Sequence, residues 1–222
     1  PGLSDNNLLA SYIHKKTGLV MLLVPAGEFL CGREKLLKFL PNFWMSRTLV
    51  THAQYAKFVR APGHNSPTLW RNDKYPKSLA NHPIVNVSWD DAVAFCKWAR
   101  LQLPTDEQWE KAARGPSGRS FPWGDEWRPY CNTSDAGIGT TTSVGYYSPF
   151  GDSPYGCADM SGNVWEWTNS WFDEEKKFRI LRGGSWTHDY TFADLSVPDY
   201  DYPWVAYDHV GFRVVSPVVS GF

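Results

Sequence analysis

No apolar run in the 222-residue sequence approaches the roughly 18 to 20 residues that a membrane-spanning helix needs. The opening Pro1-Gly2-Leu3-Ser4-Asp5 lacks the basic and apolar regions of a signal peptide. The four cysteines, Cys31, Cys96, Cys131 and Cys157, are scattered without CxxC spacing, which favours free or partly buried thiols over disulfides or a zinc site. Free thiols in a reducing compartment are the default expectation. The cytoplasm is therefore favoured, with a cell surface or a phage particle as alternatives. Charge of either sign is also scarce: the net value of -1 gives no case for nucleic acid or an anionic membrane.

The sharpest absence is local. The 24 residues from Thr187 to Val210 contain no Lys, Arg, Glu, Gln or Met, yet hold five Asp and four Tyr. Outside this window there are 22 basic and 18 acidic residues, an excess of +4, whereas the window alone carries -5. Such a composition does not describe a core. It resembles a recognition loop, in which Tyr gives rigid amphipathic contact at small entropic cost and Asp or His adds hydrogen bonds.

What is present favours one loop-rich globular domain. The chain is 42% hydrophobic, with 18 Gly, 16 Pro and 12 Trp, which punctuates short elements densely. Indole N–H groups seek acceptors, so many Trp are expected where core meets loop. Val20–Val24, a Pro25-Ala26-Gly27 turn and Glu28–Leu30 read as two successive strands, and Phe43–Met45 as a third. Thr51-His52-Ala53-Gln54 has capping-box spacing ahead of a short helix. Residues 61–83 read as a long surface excursion. Ser88 caps a second helix over Trp89–Arg100, and Thr105 opens a third that ends near Gly115. No internal repeat is present. Residues 1–18 are expected to be an extension or linker remnant and 19–222 one domain, joined to further domains in a full-length chain.

Eight blocks occur in a fixed order: Met21 to Gly32, Val50 to Tyr55, His82 to Trp89, Leu103 to Gly115, Pro122 to Gly124, Gly156 to Trp167, Leu181 to Trp186 and Gly211 to Arg213. Together they resemble the formylglycine-generating-enzyme (sulfatase-modifying factor) family. The resemblance implies an α+β fold of the C-type-lectin-like kind, a small twisted antiparallel sheet with flanking helices and long irregular segments. Fold alone does not settle function. The enzymes of that family oxidise a substrate cysteine with a cysteine pair lying between the Arg-Gly-Gly-Ser and Gly-Phe-Arg blocks. Here that interval has no Cys, so no redox cofactor is expected. The six His show no metal-binding spacing and are read as solvated or structural.

Within the same scaffold, a degenerate stretch at this place resembles the variable proteins diversified by retroelements. Randomised adenines in Asn codons cannot yield Lys, Glu, Gln, Met or Trp, and only Trp204 in the window breaks that rule. The expectation is a non-enzymatic receptor-like protein whose ligand-binding residues are Thr187, His188, Asp189, Tyr190, Phe192, Asp194, Val197, Asp199, Tyr200, Asp201, Tyr202, Trp204, Val205, Tyr207, Asp208 and His209. Ala193, Leu195 and Ser196 are expected to be buried framework, Pro203 a turn, and Arg182, Trp186, Phe212 and Arg213 the fixed ends. The partner is expected to be a protein or other macromolecule with a basic or hydrogen-bond-donating surface. The alternatives are an inactive structural or regulatory relative and a formylglycine-generating oxidase.

A further resemblance concerns calcium. Asp159-Met160-Ser161-Gly162-Asn163-Val164-Trp165-Glu166 is similar to the family's calcium loop, which implies side-chain oxygens from Asp159 and Glu166 and carbonyls from Gly162 and Val164 around a structural Ca2+. The family's other calcium stretch falls near Asn132 to Ile138, where Ala136 stands at the carboxylate position with Asp135 beside it.

Overall fold

The computed structural model describes residues 10–64 and 66–217. Ten strands form three small sheets. The first has the order β1 (Ser11–Ile13), β2 (Val20–Val24), β5 (Phe43–Ser46), β10 (Val215–Pro217), antiparallel throughout, so it joins the two ends of the domain. A hairpin of β3 (Gly27–Cys31) and β4 (Leu36–Leu40) stands apart. The third sheet runs β8 (Pro198–Asp201), β7 (Arg179–Arg182), β6 (Trp165–Trp171), β9 (Val210–Gly211), with β9 parallel to β6.

One expectation is corrected. Strand β1 lies inside the stretch read as an extension, and its residues pair with Val20–Leu22, so the domain begins by Ser11. The two strands expected on either side of the Pro25-Ala26-Gly27 turn are present as β2 and β3. Gly27 takes φ +149°, which directs the chain into a different sheet, where β3 pairs with the unanticipated β4.

The three helices are where capping chemistry places them: α1 (His52–Val59), α2 (Trp89–Ala99) and α3 (Asp106–Arg114) each begin at a capping box, on Thr51, Ser88 and Thr105. Helix α2 ends as Arg100 turns left-handed at φ 60°. Its buried face, Ala92, Phe95, Cys96 and Ala99, meets Tyr55, Phe58, Trp165, Trp167 and Phe212 in the larger core cluster. Tyr55 stacks on Phe95 with ring centroids 5.6 Å apart. A second cluster packs Trp109 of α3 on Val24, Phe43, Met45 and Leu195. Buried indoles find acceptors: Trp109 Nε1 donates to Glu166 Oε2 at 2.9 Å and Trp167 Nε1 to the Val87 carbonyl at 3.1 Å.

Candidate ligand-binding surface

The window supplies β8 and, through Val210, part of β9, the two edge strands of the third sheet, and is anchored by charge at both ends. At its start, Arg182 on β7 is buried and donates to Asp106, to Glu110 and, at 3.1 Å, to the Leu195 carbonyl inside the window. At its far end Arg213 is fully buried and grips Glu166 through two bonds, Nε to Oε2 at 2.6 Å and Nη2 to Oε1 at 2.8 Å. Uncompensated, either guanidinium would cost several kcal/mol to bury, roughly the penalty for a lone ion in a protein interior. The fixed ends are therefore ion pairs set into the core.

Between these ends the chain alternates between anchoring and display. Asp189 caps the 3-10 turn Tyr190–Ala193, its Oδ1 accepting from the Thr191 amide at 2.9 Å. Ala193 and Leu195 are wholly buried, and the Ser161 hydroxyl donates to the Ala193 carbonyl at 2.7 Å. Ser196 is half-buried rather than buried, its amide and hydroxyl both donating to Asp194 Oδ1. Pro203 lies in the turn that the Val205 amide closes by donating to the Tyr202 carbonyl at 3.2 Å. Glycine is needed at 184, where a Cβ would come within 2.7 Å of the Phe192 carbonyl oxygen.

Display belongs to the aromatics. Tyr190, Phe192, Tyr200, Tyr202, Trp204 and Tyr207 are all exposed, Trp204 most at 66%. Tyr202 stacks on Trp204 with centroids 4.6 Å apart, and Tyr200 stacks on Phe172, an exposed residue beyond the window. Phe178 touches Tyr200 and Tyr202 edge-on and tilted. A second group joins Tyr207 to His209, His209 to His188 and His188 to Phe192. Tyr190 rests on Trp127 at 5.0 Å. Phe172, Phe178 and Trp127 were absent from the sequence reading, because no local pattern ties them to the window; β-pairing and loop packing bring them there.

Not every expected contact residue faces solvent freely. His188 is half-buried, close to the hydroxyls of Ser185 and Thr187 and the indole of Trp165, and burial holds its pKa below the ordinary value. Val205 packs against the larger core cluster, and Asp194 and Val197 are half-buried. Thr187 and Asp208 are exposed, and Asp208 Oδ1 pairs with His209 Nδ1 at 3.1 Å. Strand β8 is one edge of its sheet, where Asp199 Oδ1 accepts from the Tyr200 amide at 2.8 Å, and just past it Asp201 Oδ1 accepts from the Tyr202 amide at 2.7 Å. Carboxylates on edge amides discourage pairing with another strand.

The calcium loop was tested by its donors. Asp159 and Asn163 take left-handed backbone, φ 56° and 66°. Glu166 is committed to Arg213 and Trp109, leaving one lone pair on Oε1. Asp159 accepts one bond, from the Gly145 amide, and burial pushes its carboxyl up to about 6. Among the described residues no donor reaches the Gly162 or Val164 carbonyl. Two carboxylates beside one guanidinium leave an unbalanced negative charge, which a hard cation held by these oxygens would balance without supplying redox chemistry. No group of three or more His, Cys, Asp or Glu side chains is placed for a metal among the described residues. In the second stretch Asp135 is spent on the window, its Oδ2 accepting from Tyr190 N at 2.8 Å, while buried Asn132 Oδ1 has no donor among the described residues.

An α+β domain with this sheet arrangement, a chain end tied into the first sheet and an exposed loop cluster on a fixed frame, defines a C-type-lectin-like fold. The chain belongs to the sulfatase-modifying factor (formylglycine-generating enzyme) family: the Sulfatase-modifying factor enzyme 1-like domain matches residues 10–218. The formylglycine-generating enzyme of Streptomyces coelicolor is 32% identical over 221 residues, covering 68% of this chain and 69% of the relative. The inactive C-alpha-formylglycine-generating enzyme 2 of Bos taurus is 36% identical over 169 residues, covering 66% and 56%. The mouse formylglycine-generating enzyme is 39% identical over 150 residues, and there the chain spans only 40% of the relative's length. Among solved structures, PvdO from Pseudomonas aeruginosa aligns with a TM-score of 0.77 at 21% identity, covering 94% of this chain and 98% of that one. Treponema denticola variable protein 1 aligns with a TM-score of 0.74 at 18% identity, covering 95% and 99%. The P3c variant of the major tropism determinant aligns at 0.51 and 13% identity, covering 90% and 63%.

Proposed function

We propose that this chain is a non-enzymatic, receptor-like variable protein, diversified by a retroelement, that recognises a macromolecular target through residues 187–210. The observation that carries the reading is the set of exposed aromatics Tyr200, Tyr202 and Trp204, with Tyr200 stacked on Phe172, Tyr202 stacked on Trp204 and Phe178 touching both tyrosines, beside a buried frame. Rigid aromatics on a fixed frame keep the ordering cost of binding small. Five Asp without a neighbouring base in the window favour a protein partner with a basic or hydrogen-bond-donating face. Solved structures of the same fold include proteins named variable protein and tropism determinant.

The second reading is the oxidation performed by the enzymes this chain resembles in sequence. Against it stands the chemistry of the cysteines. All four are buried, none lies in the window, and burial raises each thiol, Cys31 and Cys157 to about 11, which suppresses the thiolate that such chemistry needs. Both readings are separated by one set of measurements. The binding reading expects capture of a surface protein from the source organism or its neighbours, lost in the Tyr200→Ala, Tyr202→Ala, Tyr207→Ala triple variant with Tm nearly unchanged. It also expects a near-identical repeat beside the gene, differing only at adenines. Turnover of a cysteine-containing sulfatase peptide, or absence of that repeat together with a reverse transcriptase, overturns it.

A further inference from the structure

Next to the C-terminal end of the window lies a cleft of about 310 Å³ that the family resemblance does not account for. Its lining is mainly apolar, with the buried Trp70 and Val85 joined by Pro76, Leu79 and Trp186, and includes the hydroxyl residues Thr140 and Thr141. Trp186 packs against the cluster of Leu49, Val85 and Val164, and its Nε1 donates to the Asp208 carbonyl at 3.4 Å. Two groups in the lining can carry charge, His52 and Asp208. His52 is held neutral: it is buried, its pKa is lowered to about 4, and Trp70 Nε1 donates to its Nδ1 at 3.0 Å. Asp208 stands at the rim with 63% of its side chain exposed, and only its Oδ1 is engaged, by His209.

We infer that this cleft takes a Lys or Arg side chain of the macromolecule bound by the window, its methylene stem against Trp186 and Trp70 and its cationic head on Asp208 Oδ2. An apolar slot with one rim carboxylate fits a side chain that is aliphatic along its length and positive at its tip. Every wall residue lies outside the window, and only Asp208 lies within it. The frame therefore supplies a constant receptacle, and the residue at 208 sets the charge that the receptacle accepts.

The inference rests on the binding reading above but is tested without the natural ligand. The full chain, with its Trp indoles labelled with 15N, is titrated with N-acetyl-lysine amide, N-acetyl-norleucine amide and N-acetyl-glutamate amide. The lysine probe is expected to shift the Nε1–H signals of Trp70 and Trp186 and to bind about threefold to fivefold more tightly than norleucine, the range an exposed ion pair supports. In the Asp208→Lys variant the glutamate probe should overtake the lysine probe. Equal affinity for lysine and norleucine, absence of shifts at both indoles, or an unchanged order in Asp208→Lys overturns the inference. Should the probes fail while the triple Tyr variant still loses the macromolecule, this inference falls and the binding reading stands.

Discussion

Phe172 and Tyr200 stack face to face, with ring centroids 3.8 Å apart and planes inclined by 18°. One ring lies just past β6, outside the compositionally odd window, and the other on β8 within it. Framework thus holds the displayed ring at its working angle. Rotamer freedom that an isolated loop Tyr would lose on binding has already been lost on folding.

Replacing Phe172 with Ala should therefore weaken ligand binding although the residue lies outside the window. The stability cost should stay near 1 kcal/mol, the scale of one exposed aromatic pair. Binding and urea denaturation measured on the same preparation decide it: unchanged affinity would show that Tyr200 needs no support.

Arg213 and Glu166 form a pair with both side chains wholly removed from solvent. Glu166→Gln removes the one carboxylate in direct contact with the guanidinium, leaving only the more distant charge of Asp159, and a loss of about 3–5 kcal/mol is expected. Arg213→Met should cost as much, because it strands the carboxylate. Chemical denaturation of both variants checks this, and losses below about 1 kcal/mol would contradict the role assigned to the pair.

Calcium, if the Asp159 to Glu166 oxygens bind it, stabilises only the folded state. Tm should rise with added CaCl2 and fall with EGTA, the stability gained at a hundredfold excess over Kd being about 2.7 kcal/mol. Asp159→Ala should abolish the response. A wild-type Tm indifferent to both reagents would remove calcium from the account.

His52 gives a pH dependence of definite sign. Its pKa falls from the ordinary 6.5 to about 4 in the folded chain, chiefly through burial. Between those values the unfolded chain binds the proton and the folded chain resists it, so this contribution is intact above pH 6.5 and lost as pH falls towards 4. His52→Asn, which keeps an acceptor for Trp70, should flatten that part of the stability profile. A slope identical to wild type would assign it to other groups.

Much of this molecule is legible locally. The capping boxes at Thr51, Ser88 and Thr105 locate the helix starts because their hydrogen bonds close within four residues. The family resemblance marks Ala193 and Leu195 as framework because matching positions in relatives are small or apolar, and both are buried. Strand β4 escaped notice because Leu36, Leu37 and Phe39 remain exposed on a hairpin, so no buried face imposes a clean alternation. The role of Asp135 escaped too, since its bond to the Tyr190 amide spans 55 residues.

By itself the sequence determined the helices, the ordered family blocks and the place of the window, because capping, composition and block order are written in neighbouring residues. Only the tertiary structure decided which window residues are displayed. His188 turns inward to Ser185 and Val205 packs on the core, while Phe172 and Phe178 join Tyr200 and Tyr202. The physical reason is that exposure and stacking belong to pairs of side chains distant in sequence, and only the folded backbone sets those pairs.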